Sequence, residues 1–403
     1  MIEQYREEIA IARPCYAIAN IGDSWPACWQ ALLAGQRNFV AGKDILGAWP
    51  DTPPLSAIGA FPGLPGQPAY EYRARTLATV VGQQMKAAVD AFCAHHRQAR
   101  LTLMIASSHF DPGPLSALVD HRHAQRADAD LAAPTWEGVL SVRLAEAINA
   151  GLERQLPGID VSAACASSLV ALSYAADRIN AGLCDAVLLV GIDVLSRVAS
   201  VGFSNLGAMS ERGCTPYDVE RDGTTVGEGA VAMLVARRSL LAHSGVQGIV
   251  AGTATNCDAA HMVEPNPQGV SQAVFAALEQ ARLQPSDVRA IFWHGTGTRQ
   301  NDKTEAAVAQ LVFGDRSPPC TSTKGSLGHT MGASSGFNVL AACEANRQQV
   351  LPHVAGTTRP EYANLSLVLG QPQAIEPGPM LITALGFGGI NAAAVIFPVQ
   401  ELQ

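Results

Sequence analysis

Ile159-Asp160-Val161-Ser162 runs into Ala163-Ala164-Cys165-Ala166-Ser167-Ser168, and a largely apolar stretch follows to Ala181. The pattern predicts a strand over 159–162, a turn of small residues, and a helix over 166–181. A thiol at a strand-to-helix turn stands at the positive end of the helix dipole, which lowers its pKa and favours thiolate. Backbone N–H groups there can also receive a developing oxyanion. The small neighbours of Cys165 let a substrate and an adjoining backbone come close. An ordinary buried cysteine is inert; the company this one keeps sets it apart.

The second half of the chain repeats the design. Thr321-Ser322 leads to Gly325-Ser326-Leu327-Gly328-His329-Thr330-Met331-Gly332-Ala333, and an apolar helix is expected over Ser334–Arg347. In both halves a reactive side chain among small residues opens a core helix, which points to a pseudo-twofold fold with chemistry between the halves. Further strands are predicted at Leu101–Ala106, Ala186–Gly191, Ala230–Val235, Val288–Trp293, Met380–Leu385 and Ala393–Phe397, with helices at Ser271–Ala281 and Asp302–Val312. The strands show little polar alternation, as in sheets covered on both faces. Alternating strands and helices give an α/β layered class. Trp49–Pro68, rich in Pro and Gly, reads as a loop.

Composition narrows the function. Of 403 residues 48 % are apolar and only 15 % charged, so a large core or subunit interface is implied. The net charge is −8 without long charged runs, which argues against nucleic-acid binding. Nine cysteines, an odd number without a Cys-x-x-Cys pair, argue against a disulfide framework or a zinc site. The charged start lacks a signal-peptide core and no apolar run has membrane-span length, so a soluble cytoplasmic protein is expected.

Four more segments carry candidate chemistry. His294-Gly295-Thr296-Gly297-Thr298 follows a strand, placing the histidine in a crevice with room for a ligand; Asn301-Asp302 reads as the cap of the next helix. Lys324 stands five residues before His329, and taken alone it reads equally well as a surface lysine. Gly386-Phe387-Gly388-Gly389-Ile390-Asn391 demands a sharp turn and close backbone approach, which suits a gating aromatic. Pro216-Tyr217-Asp218-Val219-Glu220-Arg221-Asp222-Gly223 and Gly227-Glu228-Gly229-Ala230 read as a charged structural loop entering a strand. The His95–His96 and His121-x-His123 pairs lack partners at metal-ligand spacing.

In order, these segments resemble the β-ketoacyl-(acyl carrier protein) synthases, the condensing enzymes of fatty acid and polyketide synthesis. The likeness runs from Trp29-Gln30-Ala31-Leu32-Leu33-Ala34-Gly35 to Asn391 and so covers nearly the whole chain. It implies a thiolase-like five-layered α-β-α-β-α fold with two pseudo-duplicated halves, here 1–243 and 244–403, and a homodimer. It implies a catalytic set of Cys165, His294, His329 and Lys324, an arm-binding pair Thr296 and Thr298, and a gate at Phe387. The backbone N–H groups of Cys165 and Phe387 would form the oxyanion hole. Histidine at 329, where chain-starting synthases have asparagine, implies an elongating enzyme that uses malonyl units. The implied reaction is decarboxylative Claisen condensation of malonyl-carrier protein with an acyl group on Cys165. It needs no metal or cofactor, and its partners are acyl- and malonyl-loaded acyl carrier protein.

Three departures from the family pattern suggest a specialised polyketide or polyene synthase. Asn338 replaces a glutamate that pairs with the lysine, Leu385 replaces a phenylalanine, and Ala17-Ile18-Ala19-Asn20-Ile21-Gly22 lacks the usual Thr-Gly-Leu-Gly-like turn. Alternatives are the catalytic subunit of a heterodimeric ketosynthase/chain-length-factor pair, a non-catalytic partner subunit, and a CoA-dependent thiolase. The partner-subunit reading conflicts with the intact Cys165. The thiolase reading expects a second cysteine near the C-terminal glycine loop, and none lies between Cys343 and Gln403. Arg73 and Arg75 fall where a carrier-protein docking helix would lie, although solvated surface arginines are the ordinary alternative.

Overall fold

A computed structural model of the chain describes residues 8–42, 53–59, 73–114 and 141–399. The His121–His123 pair and most of the 49–68 loop lie outside the described residues. The architecture is one twelve-stranded mixed sheet wrapped around two central helices and covered outside by four more.

Across the sheet the strands run Ser366–Leu367, Pro319–Thr321, Ala290–Phe292, Met380–Gly386, Ile390–Phe397, Val246–Cys257, Ile9–Ala12, Gly229–Arg237, Ala186–Asp193, Leu101–Ala106 and Gly158–Val161. Tyr16–Ala19 also pairs with Gly229–Arg237. The pairing repeats on either side of the Ile9–Ala12/Val246–Cys257 junction. In one half, three parallel strands (158–161, 101–106, 186–193) are followed by two antiparallel ones (229–237, 9–12). In the other, three parallel strands (319–321, 290–292, 380–386) are followed by two antiparallel ones (390–397, 246–257). The halves meet antiparallel, with Ala10 opposite Ile249.

Helices Ser167–Asn180 and Ser334–Gln348 fill the space between the half-sheets, where Leu169 and Leu172 share a core with Phe337 and Leu340. Ser334–Gln348 is buried on all sides, as its lack of a polar stripe requires. Its small residues permit close approach: Val231 would clash with a Cβ added to Gly336. Helices Arg73–His95 and Val142–Leu152 cover one half-sheet, and Pro267–Gln280 and Arg299–Phe313 the other. The result is the expected α-β-α-β-α layering. Among the described residues no helix is long and apolar enough to cross a membrane.

Most expected elements occur within two residues of their predicted ends, with differences at the margins. The strand expected over Val288–Trp293 is only Ala290–Phe292, and the twelve-residue strand Val246–Cys257 was not anticipated. The helix after His294 is capped by Thr298, whose hydroxyl accepts from Asn301 N–H, not by Asn301-Asp302, which lie inside it and are buried. His95 and His96 bond the carbonyls of Ala91 and Leu240, each at 2.8 Å.

The docking expectation for Arg73 is overturned, as is a solvated reading of it, whereas Arg75 stays partly exposed. Arg73 is buried and ion-paired to the fully buried Glu228, with Nε 2.7 Å from Oε2. Glu228 also accepts from Ile58 N at 2.7 Å, and Arg75 bonds Asp111 at 2.6 Å. Arg73 ties the long helix to Glu228 at the end of the 194–228 segment, and Arg75 ties it to Asp111 in the loop after Leu101–Ala106. Removing one member of a buried pair leaves an uncompensated charge, so Arg73→Met should cost about 3–5 kcal/mol, read as a lower urea midpoint. A loss below about 1 kcal/mol, the scale of a surface pair, would contradict this assignment.

Candidate active site

Cys165, His294, His329 and Phe387 line one pocket, together with Thr296, Thr298, Asn301, Phe203 and Leu385. Cys165, His294 and Phe387 reach it from turns that follow strands, and His329 from the turn after the short helix Lys324–Leu327. Cys165 ends the turn after Gly158–Val161, where Ala164 takes a left-handed φ of 48°. Ser167 holds that turn, accepting from Ala163 N at 2.9 Å and donating to Ala164 O at 2.6 Å. Opposite it runs the glycine loop. A Cβ on Gly386 would stand 2.7 Å from Ala163 O, so only glycine lets the two backbones approach this closely. Gly388 and Gly389 have φ of 86° and 80°, and Gly388 N donates to Met262 O at 2.7 Å. Phe387 stacks on Phe203, with centroids 5.3 Å apart, and Phe203 meets the His329 ring edge-on at 5.9 Å.

The two imidazoles stand edge to face, centroids 5.4 Å apart. Lys324, buried rather than on the surface, donates to His294 O at 2.5 Å and lies 3.3 Å from His294 Nδ1. An ammonium can only donate, so Nδ1 is the acceptor and the proton sits on Nε2. His329 Nδ1 is 3.3 Å from Ser334 Oγ, and a hydroxyl donating there likewise leaves Nε2–H free. These tautomers are assigned from the bonding partners. Burial holds both rings neutral, their pKa values well below the ordinary imidazole range, with the Lys324 charge adding to the effect.

Electrostatics correct one expectation. Burial pushes the Cys165 thiol up to about 12, although Lys324 opposes this, so desolvation outweighs the helix dipole and the resting group is a thiol. Burial also lowers Lys324 to about 8, while the Glu305 carboxylate pulls it back up. Asn338 does not replace the missing acid. Its amide accepts from Thr323 Oγ1 at 2.7 Å and donates to Trp293 O at 3.3 Å.

Glu305 was missed in the sequence. Fully buried, it accepts from His294 N and Gly295 N, both at 2.7 Å, and from Tyr217 OH and Asn301 Nδ2, both at 2.8 Å. Its signal was available: it lies on the face of Arg299–Phe313 that carries Asn301, Asp302, Val308 and Ala309 inward. Asp302 in turn accepts from Tyr217 N at 2.6 Å and meets Arg221 at 3.2 Å, so the 216–223 loop is structural, as expected. Thr296 and Thr298 bond each other at 2.9 Å on the pocket wall.

Fold and pocket together define a thiolase-like condensing enzyme, of the acyltransferase class. The β-ketoacyl synthase N-terminal domain matches residues 77–240 and the β-ketoacyl synthase C-terminal domain residues 247–358, and the chain belongs to this family. It is 32 % identical over 300 residues to the tetracenomycin polyketide synthase ketoacyl synthase alpha subunit of Streptomyces glaucescens, covering 71 % of this chain and 69 % of that one. It is 33 % identical over 260 residues to the spectinabilin polyketide synthase system protein NorA' of Streptomyces orinoci, which spans 60 % of this chain but only 7 % of that protein. One chain of the solved complex of the ketosynthase ApeO with its chain length factor ApeC from Xenorhabdus doucetiae superposes with a TM-score of 0.83 at 25 % identity, covering 98 % of each chain.

Because the Lys324 charge favours the Cys165 thiolate, Lys324→Met should raise the thiol pKa. Alkylation of Cys165 by iodoacetamide near pH 8, followed by peptide mass spectrometry, should slow roughly tenfold, the equivalent of one pKa unit. An unchanged rate would remove Lys324 from the electrostatics of the thiol.

Proposed function

We propose that this chain is an elongating β-ketoacyl-(acyl carrier protein) synthase of a specialised polyketide or polyene pathway, with Cys165 as nucleophile. The observation that carries the reading is one pocket holding a thiol and two neutral imidazoles that present N–H groups. Cys165 sulfur attacks the thioester of an acyl-loaded carrier protein, and its proton ends on the departing carrier thiol. The tetrahedral oxyanion lies against the backbone N–H groups of Cys165 and Phe387. Thr296 and Thr298 hold the phosphopantetheine arm. Malonyl-carrier protein then enters, and His294 and His329 donate Nε2–H to its thioester carbonyl. As CO2 leaves, the electron pair of the breaking bond forms an enolate on that oxygen. The enolate carbon attacks the acyl-Cys165 carbonyl, the β-ketoacyl product departs on the carrier protein, and the sulfur recovers a proton from water. Neutral imidazoles suit this role, since they donate to a developing oxyanion without first surrendering a charge to solvent.

Lys324 and Glu305 position His294, and Leu385, on the pocket wall where the family has phenylalanine, widens the space beside the gate. The division into 1–243 and 244–403 follows the repeated strand pattern. The edge strand Gly158–Val161, partly exposed and with Ile159 and Val161 on it, supports a dimer formed by strand pairing. The mate is a second copy or a homologous chain-length-determining subunit; the likeness to a chain of a solved complex between a ketosynthase and its chain length factor favours the second. Unpaired thiols at all nine cysteines suit a cytoplasmic setting.

Incubation with a panel of acyl-carrier proteins, read by intact mass, should add one acyl group to the parent and none to Cys165→Ala. His294→Ala and His329→Ala should still acylate but release CO2 from malonyl-carrier protein roughly 10²–10³-fold more slowly. Acylation of Cys165→Ala equal to the parent would sink the proposal.

A further inference from the structure

A second charged pair lies behind the cysteine turn. Asp193, the last residue of Ala186–Asp193, is fully buried. It accepts from Ser107 Oγ at 2.6 Å, Ser108 N at 2.9 Å and Gly332 N at 2.6 Å, and His109 Nδ1 stands 3.0 Å from it. These contacts tie together the segments that frame the site. Ser108 Oγ donates at 3.0 Å to the carbonyl of Ala164, the residue before Cys165. Gly332 follows His329 by three residues, and its carbonyl accepts from Ser168 Oγ at 2.5 Å. A Cβ on Gly332 would stand 2.7 Å from Asp193 Oδ2 and 2.8 Å from Ser108 N, so the contact admits only glycine. One carboxylate therefore draws the loop after Leu101–Ala106, the cysteine turn and the His329 segment onto one point.

We propose that His109 and Asp193 form a positioning pair for Cys165, in which the carboxylate fixes the turn against the His329 segment and the imidazole balances its charge beside the sulfur. The proposal rests on the reading of Cys165 as nucleophile only for the use made of the thiol. Among the described residues the charged groups around the pair are few. His109 faces Asp193 and, on its own loop, Asp111, which is bonded to Arg75 of the long helix; Cys165 faces Lys324 and Asp193. Burial alone would depress His109, yet Asp193 carries it above the ordinary imidazole value. Burial likewise opposes ionisation of Asp193, and His109 holds it below the ordinary carboxylate value. While His109 keeps its proton the pair is neutral. When the proton leaves, a bare carboxylate adds to burial in raising the thiol.

The test is the alkylation of Cys165 by iodoacetamide in the full-length protein, followed by peptide mass spectrometry from about pH 6 to about pH 9, the range that spans an imidazole titration. In the parent the logarithm of the rate should climb with a slope below one while His109 deprotonates, then with a slope of one. His109→Gln should give unit slope throughout, roughly threefold to tenfold slower than the parent at the acid end and equal to it at the alkaline end. Asp193→Asn, nearly isosteric and independent of the first variant's folding, should react faster than the parent at the alkaline end. Uniform slowing at every pH in both variants, or curves superimposable on the parent's, would overturn the pair's role. Acylation of the parent by an acyl thioester, measured alongside, tests the nucleophile reading separately: its absence with the pH signature intact would remove that reading and leave the pair standing.

Discussion

A buried cation organises this site. Lys324 sits without solvent between the carbonyl and ring of His294, close enough to Glu305 for the carboxylate to raise its pKa. Isolating an ammonium in a protein interior is costly unless its donors and charge are matched. Here the matching groups belong to His294, the residue the proposed mechanism needs fixed. Glu305 grips the backbone N–H groups of His294 and Gly295, Lys324 grips the carbonyl and Nδ1, and the imidazole is left one orientation and one tautomer. The cost of burying the charge is thus tied to the alignment of a hydrogen-bond donor.

The same burial sets the chemistry on the other side of the pocket. A thiol raised to about 12 is protected from adventitious electrophiles, and in the proposed mechanism it reacts when a bound thioester offers a leaving group for its proton. Two half-sheets with their central helices bring these groups together. The cysteine turn opens one central helix and the His329 segment opens the other, and contacts through Gly332 and Ser168 hold the openings in register. The pseudo-twofold fold is the means by which residues about 130–160 positions apart in the chain share one cavity.

Much of this was legible in the sequence, for identifiable reasons. Buried strands such as Ala186–Asp193 and Met380–Gly386 are continuous apolar runs, and small residues around Cys165 and His329 mark where backbones must nearly touch. The strand Val246–Cys257 was hidden because its Gly, Thr and Asn residues carry little strand signal, and pairing on both sides, not composition, holds it extended. The cap at Thr298 was misassigned because Asn301 and Asp302 are good capping residues in isolation; Glu305 one turn on claims Asn301, and Tyr217, far off in sequence, claims Asp302. Glu305 escaped notice since a carboxylate amid a helix looks solvated until the helix is known to be covered. Arg73 looked like surface charge for the same reason, and Glu228, far off in sequence, decides otherwise.

A crystal structure of the protein acylated by its carrier-protein substrate would test the central claim most directly. The account predicts the acyl carbon bonded to Cys165, its oxygen within hydrogen-bond reach of the Cys165 and Phe387 N–H groups, and the Nε2 atoms of His294 and His329 turned toward it. An acyl group on any other residue, or either ring turned away from the thioester, would contradict it.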